Sequence, residues 1–437
     1  MKIAARVTKG LGPVVVAILL PLAILSMHRG VKNALGVTSS GFSIDLYSYW
    51  NPARLLLDGA DPYSAVLSGD LTASGDLGEG QGQEDLVSVP ANAPLMLVLL
   101  SPLALVPWPV ARVIWAAVNT VLALILPVLA LGLLRRKQSL WIQASICLAF
   151  YAMLPTRNAI SNGQTTLLVF AAALLAITLA PKNQWLAGIL FGVALSKYSL
   201  VLPLALWFLA FGFARTLATA LALQSIGVLI PAILTGTSPI ILLLEYSRIA
   251  ISHNDRLGDL DLPSLFGRWG IPAFLGIAAS VAGAAISCAV LWRWYRVFRG
   301  HDRAADHASN EAADRVLLLA ALFVTTLPFV YHRVYDAVVL IVLPIAWLAI
   351  ETGEGGGSRE KISLDWGIVR VVSTLILGVF LLPRVSAISY FPQWDQLYST
   401  LTAIAALFAW GIVLVLLETQ LRRPAFAQSD TKSPPGS

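Results

Sequence analysis

The stretch LGPVVVAILLPLAILSM, residues 11–27, decides the class of fold. It contains no charged residue, and the segment before it carries Lys2, Arg6 and Lys9, as the charged start of a signal peptide does. The letters MHR at the end of the run do not supply the small residues of a cleavage site. We therefore interpret residues 11–27 as a retained membrane anchor.

The composition of the whole chain also indicates a membrane protein. Of its 437 residues 57% are hydrophobic and 12% are charged, and the mean hydropathy is +0.76. The apolar runs are too many and too long for a soluble core. The net charge of +6 does not indicate a nucleic-acid partner, because it follows from where the basic residues lie between apolar runs. Cys147 and Cys288 lie inside apolar stretches, so neither a disulfide framework nor a metal cluster is implied.

Further apolar runs follow the anchor along the chain. They occupy residues 110–134, 139–155, 164–180, 185–199, 200–213, 216–236, 271–297, 315–331, 334–350, 367–383 and 398–418. Together with the anchor they predict an all-α polytopic membrane protein with about twelve transmembrane helices.

The shorter run APLMLVLLSPLALVP, residues 93–107, is ambiguous. Its length is short for a crossing, and its three prolines break a helix easily. If it does not cross, the basic clusters before the anchor and at 135–137, 293–303 and 422–423 all lie on the side of the N-terminus, as the positive-inside rule favours. We therefore predict a re-entrant or interfacial segment and two cytoplasmic termini.

This topology predicts one integral membrane domain over residues 1–420 and a disordered cytoplasmic tail over 421–437. Two large loops are expected on the outer face, a first external loop at 28–109 and a second at 237–270. The segment 69–85 of the first loop is acidic and rich in glycine, which indicates a flexible loop tip.

The segment 299–315 reads as a solvated cytoplasmic linker. It contains His301 and His307. We therefore expect these two histidines to be solvated residues rather than metal ligands.

Charged residues recur near the predicted outer face. Asp45 is the first carboxylate after the anchor, and Arg157 precedes the motif NGQTT at 162–166. Lys197 interrupts the apolar run ILFGVALSKYSLVLPL, and the motif YHRVYD at 331–336 lies between two runs. A charged side chain in the apolar region costs roughly 2.5–3.5 kcal/mol, so such a residue usually has a partner or a task. Because separate segments contribute these charges, we expect them to converge on one outward-opening cavity.

Each charged residue also has a simpler interpretation. Lys197 and Arg333 can extend their charges to the lipid headgroups. Asp45 can cap the helix that begins at LYSYWNPARLLL. Taken singly, these residues do not separate the two interpretations.

The neighbouring polar and aromatic residues are equally open to a structural explanation. The NGQ segment at 162–164 can be a simple turn at the start of a helix. Tyr47, Tyr49 and Trp50 fit an aromatic belt at the membrane interface.

Six motifs follow one another in a specific order. They are D-x3-Y...A-R-x-L-L-x-G-x-x-P-Y (45–63), N-A-P-L...S-P-L-A-L-V-P (92–107), N-G-Q-T-T-L-L (162–168), G-I-L-F-G-V-A-L-S-K-Y-S-L-V-L-P (188–203), L-P-S-L-F-G-R (262–268) and Y-H-R-V-Y-D (331–336). In this order and spacing the chain resembles glycosyltransferase family 87 between about residues 40 and 350. The resemblance implies the C-type glycosyltransferase architecture with a large first external loop, in enzymes that take a sugar from a polyprenyl phosphate.

Two segments depart from the family pattern. Ala93-Pro94 stands where members often have two prolines, and HNDRLGDLDLPSL at 253–265 is more acidic than the usual serine-rich block. These departures concern the identity of the acceptor more than the class of reaction. Similar mannosyltransferases build lipoglycans, so mannose is the default sugar by analogy.

If the chain transfers a sugar from a lipid phosphate, each of the polar residues has a candidate role in the reaction. The donor already has a good leaving group, so a carboxylate base and cations that stabilise the phosphate are sufficient. Asp45 is the candidate catalytic base. The candidates for binding the donor phosphate are Lys197, Arg333 and His332, with Arg157 and Arg268 as weaker ones. The candidates for binding the substrates are Tyr49, Arg54, Asn162, Gln164 and Asp336.

The predicted partners are a polyprenyl-phosphate sugar, a lipid or glycan acceptor and the membrane lipids. No metal and no cofactor are expected, and the predicted reaction inverts the sugar. The predicted location is the inner membrane of a bacterium, with the site facing outward. The break at 93–107 is a candidate edge for an apolar groove that takes the polyprenyl chain.

A transporter or lipid flippase is the main alternative, because it also uses charges inside spans. Transporters commonly have two related halves, and the chain shows no internal repeat. A transporter would also not need a large structured loop behind its first helix. A non-catalytic scaffold and an oligosaccharide polymerase are further alternatives.

Overall fold

The computed structural model is built from helices, and no strand occurs among the residues that it describes. These are residues 2–36, 44–68, 93–134, 138–254, 260–301, 308–330, 332–352, 374–376, 378–381 and 393–421. The predicted loop tip at 69–85, residues 302–307 of the predicted linker and the tail after residue 421 lie outside the described residues. The predicted all-α class is confirmed for the described part of the chain.

The described residues form a series of helices along the chain. In chain order they are α1 (Lys2–Ala34), α2 (Ile44–Leu57), α3 (Pro62–Ser68), α4 (Pro94–Ala104), α5 (Trp108–Leu131), α6 (Leu140–Ala152), α7 (Leu154–Ser161), α8 (Thr166–Leu179), α9 (Gln184–Leu195), α10 (Tyr198–Val201), α11 (Leu204–Ala210), α12 (Ala214–Thr235), α13 (Pro239–Asn254), α14 (Leu262–Arg268), α15 (Ala273–His301), α16 (Ala308–Thr326), a 3-10 helix (Val334–Ile341), α17 (Val342–Thr352) and α18 (Gln393–Leu421).

Several helices are long and apolar enough to cross a membrane. Within the described residues there are 5, and up to 6 if the bent pair of α7 and α8 is one span. The five stretches are Gly12–Ala34, Trp108–Leu131, Ala214–Thr235, Phe274–Arg296 and Leu397–Glu418. Other apolar helices in the described part have only 10–17 residues. The architecture is that of a polytopic membrane protein, and the count of about twelve spans stays a prediction.

The first helix contains the predicted anchor and continues beyond it. α1 runs to Ala34 and so includes residues 28–34, which were assigned to the first external loop. Gly30 lets α1 approach α7 closely, since a Cβ at this position would lie 3.3 Å from the carbonyl oxygen of Arg157. The end of the first helix is therefore fixed beside the segment that leads into NGQTT.

Two breaks in the helices bring polar groups together. α7 and α8 form a bend of 114°, where Gly163 has a φ of 69° that favours glycine. The second break separates α9 from α10 at Lys197, whose φ of −117° and ψ of 66° are not helical. A hydrogen bond of 2.7 Å from Lys197 Nζ to Thr166 Oγ1 joins the two breaks.

The aromatic residues of α2 lie in the protein core. Trp50 Nε1 donates to the carbonyl oxygens of Leu103 (3.0 Å), in the last turn of α4, and of Val106 (3.2 Å), just after the end of α4. Tyr47 and Trp50 are buried and pack against Trp108. Tyr49 is buried as well. The interpretation of these α2 aromatics as an interfacial belt is therefore wrong, because their rings pack on protein.

The segment predicted as re-entrant forms a short helix. α4 has 11 residues, which span about 16 Å of a hydrocarbon core of about 30 Å. Its start is fixed by a hydrogen bond of 3.0 Å from the Ala93 amide to the Ser196 carbonyl, next to Lys197. Its side packs on α12, where a Cβ on Gly227 would lie 2.7 Å from Leu95 Cα. The re-entrant or interfacial placement of 93–107 stays a prediction.

The second external loop is tied to the segment that carries YHRVYD. Asp261 caps α14, since its Oδ1 accepts a hydrogen bond of 2.9 Å from the Ser264 amide. The Leu260 amide donates to the His332 carbonyl (3.3 Å), and the Leu262 amide donates to the Pro328 carbonyl (2.9 Å). These bonds hold the chain around residue 332 against α14.

We expect Gly227→Ala to lower the free energy of unfolding by about 1–3 kcal/mol, because the added methyl group overlaps Leu95 Cα and α4 would have to move. The matched control is Gly411→Ala on α18, where no atom lies within 4 Å of the Cβ position. Alanine favours a helix more than glycine does, so this variant should be neutral or slightly more stable. The measurement is detergent unfolding followed by circular dichroism. Equal stability of the two variants would contradict the close contact of α4 with α12.

Candidate active site

A buried carboxylate organises the polar cluster where the breaks meet. Asp336 Oδ1 accepts hydrogen bonds from Thr166 Oγ1 (2.7 Å) and Lys197 Nζ (2.5 Å). Asp336 Oδ2 lies 3.0 Å from His332 Nδ1. The side chains of Lys197 and Asp336 are only 11% and 3% exposed, so this is a buried salt bridge. Buried charges are stable only when they are paired and hydrogen-bonded, and here three segments supply the partners.

Lys197 is held inside the protein. Its ammonium group has three N–H donors, of which Asp336 and Thr166 accept one each. The charge also lies 4.9 Å from the centre of the Tyr335 ring. The alternative that Lys197 extends to the lipid headgroups is therefore wrong, because its charge is paired within the protein.

His332 presents one ring nitrogen without a partner. Its side chain is buried, and Nδ1 must carry a hydrogen to donate to the Asp336 carboxylate. Nε2 is buried and has no hydrogen-bond partner among the described residues. An unpaired buried polar atom is costly, so Nε2 is a position where a ligand can complete the hydrogen bonding.

α2 brings Asp45 to this cluster. Asp45 lies in the first turn of α2, outside the candidate spans. Burial raises the pKa of its partly buried carboxyl, whereas a side-chain hydrogen bond with Gln164 and the charges of Lys197 and Arg333 lower it in part. Asp45 is thus close enough to these groups to interact with them. The capping alternative does not account for these interactions.

The bend between α7 and α8 supplies the other contacts of α2. The Asn162 carbonyl accepts a hydrogen bond of 3.3 Å from the Leu46 amide, and the Gly163 carbonyl accepts one of 2.8 Å from Trp115 Nε1. Gln164 is buried with its side chain on Asp45. A simple turn therefore explains the backbone of residues 162 and 163, but it does not explain the side chain of Gln164.

Arg157 and Arg268, two further predicted site residues, make contacts outside the Asp336 cluster. Arg157 lies near Arg29 and Tyr398. Arg268 Nη2 donates to the Ser399 carbonyl at 3.2 Å, which joins α14 to α18. Neither set of contacts involves the Asp336 carboxylate.

Two predicted substrate-binding residues lie further along α2. Arg54 is exposed, and its guanidinium lies 5.4 Å from the centre of the Trp50 ring. Tyr49 follows Asp45 by one helical turn and interacts with the hydroxyl of Tyr246 on α13. Tyr49 therefore links the cluster to the second external loop, whereas Arg54 points to the protein surface.

The hydrogen bonds of Thr166 with Asp336 and Lys197 and the pairing of Lys197 with Asp336 were not predicted from the sequence. Thr166 belongs to the motif NGQTT, but only Asn162 and Gln164 were selected from it. Two opposite charges in separate apolar runs usually pair, and this signal was present in the sequence. It would have predicted the salt bridge, although it could not have predicted the hydroxyl that bridges it.

The described residues contain no group of three or more His, Cys, Asp or Glu side chains that could hold a metal ion. The prediction that no metal is required stays a prediction. The chemistry of the cluster is that of one carboxylate near a buried ion pair, an imidazole and an arginine. Such a set can accept a proton and bind an anion.

The comparisons identify a family for more than half of the chain. The family model of glycosyltransferase family 87 matches residues 91–313. This stretch includes Gln164, Lys197 and Arg268, whereas Asp45 precedes it and the segment 331–336 follows it. No curated protein and no solved structure matches the chain.

We expect the salt bridge to make Lys197→Met and Asp336→Asn strongly non-additive. Each single substitution leaves a buried group without its main partner and should cost about 3–5 kcal/mol, whereas the double variant should cost less than the sum. The control is the exposed pair of Arg293 and Glu418, 2.6 Å apart, where Arg293→Met and Glu418→Gln should show a coupling of at most about 1 kcal/mol. Both cycles are measured by detergent unfolding. If the unfolding free-energy changes of Lys197→Met and Asp336→Asn add up to that of the double variant, the buried salt bridge would be contradicted.

Proposed function

The chain belongs to glycosyltransferase family 87, and from this membership and the site we propose that it transfers a hexose, mannose by default, from a polyprenyl-phosphate donor. The acceptor in this proposal is a lipid or glycan on the outer face of a bacterial inner membrane. Family membership indicates a membrane glycosyltransferase. The observation that carries the proposal is that Asp45, outside the candidate spans, interacts with Lys197 and Arg333 from two other segments.

Asp45 acts as the base in this proposal. The acceptor hydroxyl gives its proton to the Asp45 carboxylate while its oxygen attacks the anomeric carbon of the donor. The bond from that carbon to the phosphate oxygen breaks, and its electron pair leaves with the polyprenyl phosphate. Attack occurs on the face opposite the phosphate, so the configuration is inverted. Burial supports this role because it raises the pKa of Asp45 and makes the carboxylate more basic.

The cations stabilise the departing phosphate. The donor is a phosphodiester with one negative charge, and the released phosphate monoester carries about −1.5 to −2 at neutral pH. Lys197 keeps one N–H beyond the two that Asp336 and Thr166 accept, and Arg333 is the second cation. As the phosphate gains charge, these donors bind it more strongly than the intact donor, which is what catalysis requires.

His332 offers the phosphate a further contact in this proposal. Asp45 and Asp336 offset the charges of Lys197 and Arg333, so the four groups together are close to neutral. Nδ1 of His332 contacts the Asp336 carboxylate, so Nε2, which has no hydrogen-bond partner among the described residues, is the ring nitrogen that can contact the phosphate.

We expect Asp45→Asn to reduce sugar transfer by about 10²–10⁴-fold, because the amide cannot accept the acceptor proton. The measurement is transfer from labelled polyprenyl-phosphate mannose to cell lipid extract by the purified protein in liposomes. Asp58→Asn is the matched control, since Asp58 is exposed directly after α2 and should retain the wild-type rate. Transfer that persists in Asp45→Asn would remove Asp45 as the base. A wild-type protein that uses no lipid-linked donor would instead favour a transporter.

We expect activity to fall on the acid side at a higher pH than a free aspartate would give, because the base works only when ionised and burial raises the pKa of Asp45. Gln164→Met removes a hydrogen bond that lowers this pKa, so the acid limb of its pH–rate profile should move to still higher pH. Gln143→Met on α6 is the matched control, because the Gln143 side chain donates a hydrogen bond of 2.7 Å to the nearby Gln138 carbonyl and is not among the groups that shift the pKa of Asp45. An acid limb that stays in place in Gln164→Met would count against Asp45 as the titrating group.

A further inference from the structure

A groove lies at the end of the helices opposite the Asp336 cluster. Its volume is about 260 Å³, and it lies at the turn between α8 and α9 and at the start of α12. α8 begins beside the cluster at Thr166, and Lys197 follows the end of α9. The groove is therefore separated from the cluster by the length of α8, which is about 21 Å.

The side chains that line the groove give it a positive character. Lys182 and Arg215 are exposed cations in its wall, and no carboxylate lines it. The N-terminus of α9 also faces this end of the bundle, and the positive end of its dipole favours an anion. Asn183 caps α9 by accepting a hydrogen bond of 3.0 Å from the Leu186 amide, which fixes the turn that carries Lys182.

A close contact between α9 and α12 holds together the backbone segments that carry the two cations. Thr216 Oγ1 donates to the Gln184 carbonyl at 3.2 Å, next to Arg215. Further along the contact, a Cβ on Gly188 would lie 2.8 Å from the Thr216 carbonyl oxygen, so the helices touch along their backbones. This contact joins the two helices that form the walls of the groove.

Apolar side chains extend from the groove along the exposed surface of α9. Trp185 in the groove wall is 63% exposed, and Ile189, one turn along α9, is 47% exposed. An exposed tryptophan with apolar residues beyond it is typical of the boundary between headgroups and hydrocarbon. A ligand of this surface would carry an anionic group and an apolar chain.

We propose that this groove binds the headgroup of an anionic phospholipid. Lys182 and Arg215 bind its phosphate, and an acyl chain lies on α9 beside Trp185 and Ile189. Basic pockets between transmembrane helices bind anionic headgroups through the same chemistry. On the proposed topology this lipid belongs to the cytoplasmic leaflet, on the side opposite the sugar donor. The inference does not depend on transfer activity, so its test is separate from that of the proposed function.

The test uses the full chain in micelles of an uncharged detergent. It compares the binding of added phosphatidylglycerol with the binding of added phosphatidylcholine. Added phosphatidylglycerol should appear as bound lipid in native mass spectra and should raise the melting temperature more than the same amount of phosphatidylcholine. In Lys182→Gln/Arg215→Gln the apparent affinity for phosphatidylglycerol should fall by about tenfold or more. The matched control is Arg296→Gln, an exposed cation near the end of α15 outside the groove, which should bind as the wild type does.

Three results would overturn the proposal. One is equal binding of phosphatidylglycerol by the wild type and the double variant. Another is a stabilisation by inorganic phosphate as large as that by the lipid, which would identify a small-anion site. If the double variant loses its helical circular dichroism signal, it cannot be used for the binding test. The single variants Lys182→Glu and Lys182→Arg are then tested in its place. The first must lose phosphatidylglycerol affinity and the second must keep it, and any other pattern would also overturn the proposal.

Discussion

The salt bridge between Lys197 and Asp336 is the interaction on which the site depends. Either charge alone would be costly at this depth, so the chain is stable only when the two groups meet. Their meeting brings the break after α9 to the 3-10 helix that carries Asp336. Thr166 bonds to both groups and adds the bend between α7 and α8 to the same point. Three distant segments are thus joined by four hydrogen-bonding side chains, with His332 as the fourth.

Asp45 and Asp336 show how one residue type takes two roles in the same region. Asp336 accepts from a hydroxyl and an ammonium group and contacts an imidazole, so its oxygens are occupied by protein donors. Asp45 has a neutral amide partner in Gln164, and its carboxyl interacts electrostatically with Lys197 and Arg333. Asp336 is therefore suited to holding Lys197 and His332 in position. Asp45 keeps the capacity to accept a proton from a ligand, and this difference is the basis of the proposed mechanism.

The sequence predicted the class of the fold and the approach of Asp45 to Lys197 and Arg333, but it did not predict the breaks that bring these segments together. Hydropathy correctly marks apolar helices, and the scarcity of charge correctly indicated that Asp45, Lys197 and Arg333 converge. The break at Lys197 lies inside a continuous apolar run, so hydropathy alone does not reveal it. The burial of Tyr47 and Trp50 was missed for a related reason. Hydropathy is the same for a ring that faces lipid and a ring that faces another helix.

The breaks are positioned by backbone contacts that lie outside the polar cluster. Glycine at 30 sets the distance from α1 to α7, and glycine at 227 sets the distance from α12 to α4. α4 in turn is fixed to the Ser196 carbonyl, one residue before Lys197. Closely packed helices transmit strain. A larger side chain at such a glycine would therefore displace the neighbouring helix and change the position of the Lys197 ammonium group. The geometry of the candidate site is therefore determined as much by small residues in apolar helices as by the charged motifs, and these small residues are the part of the site that a search for functional side chains overlooks.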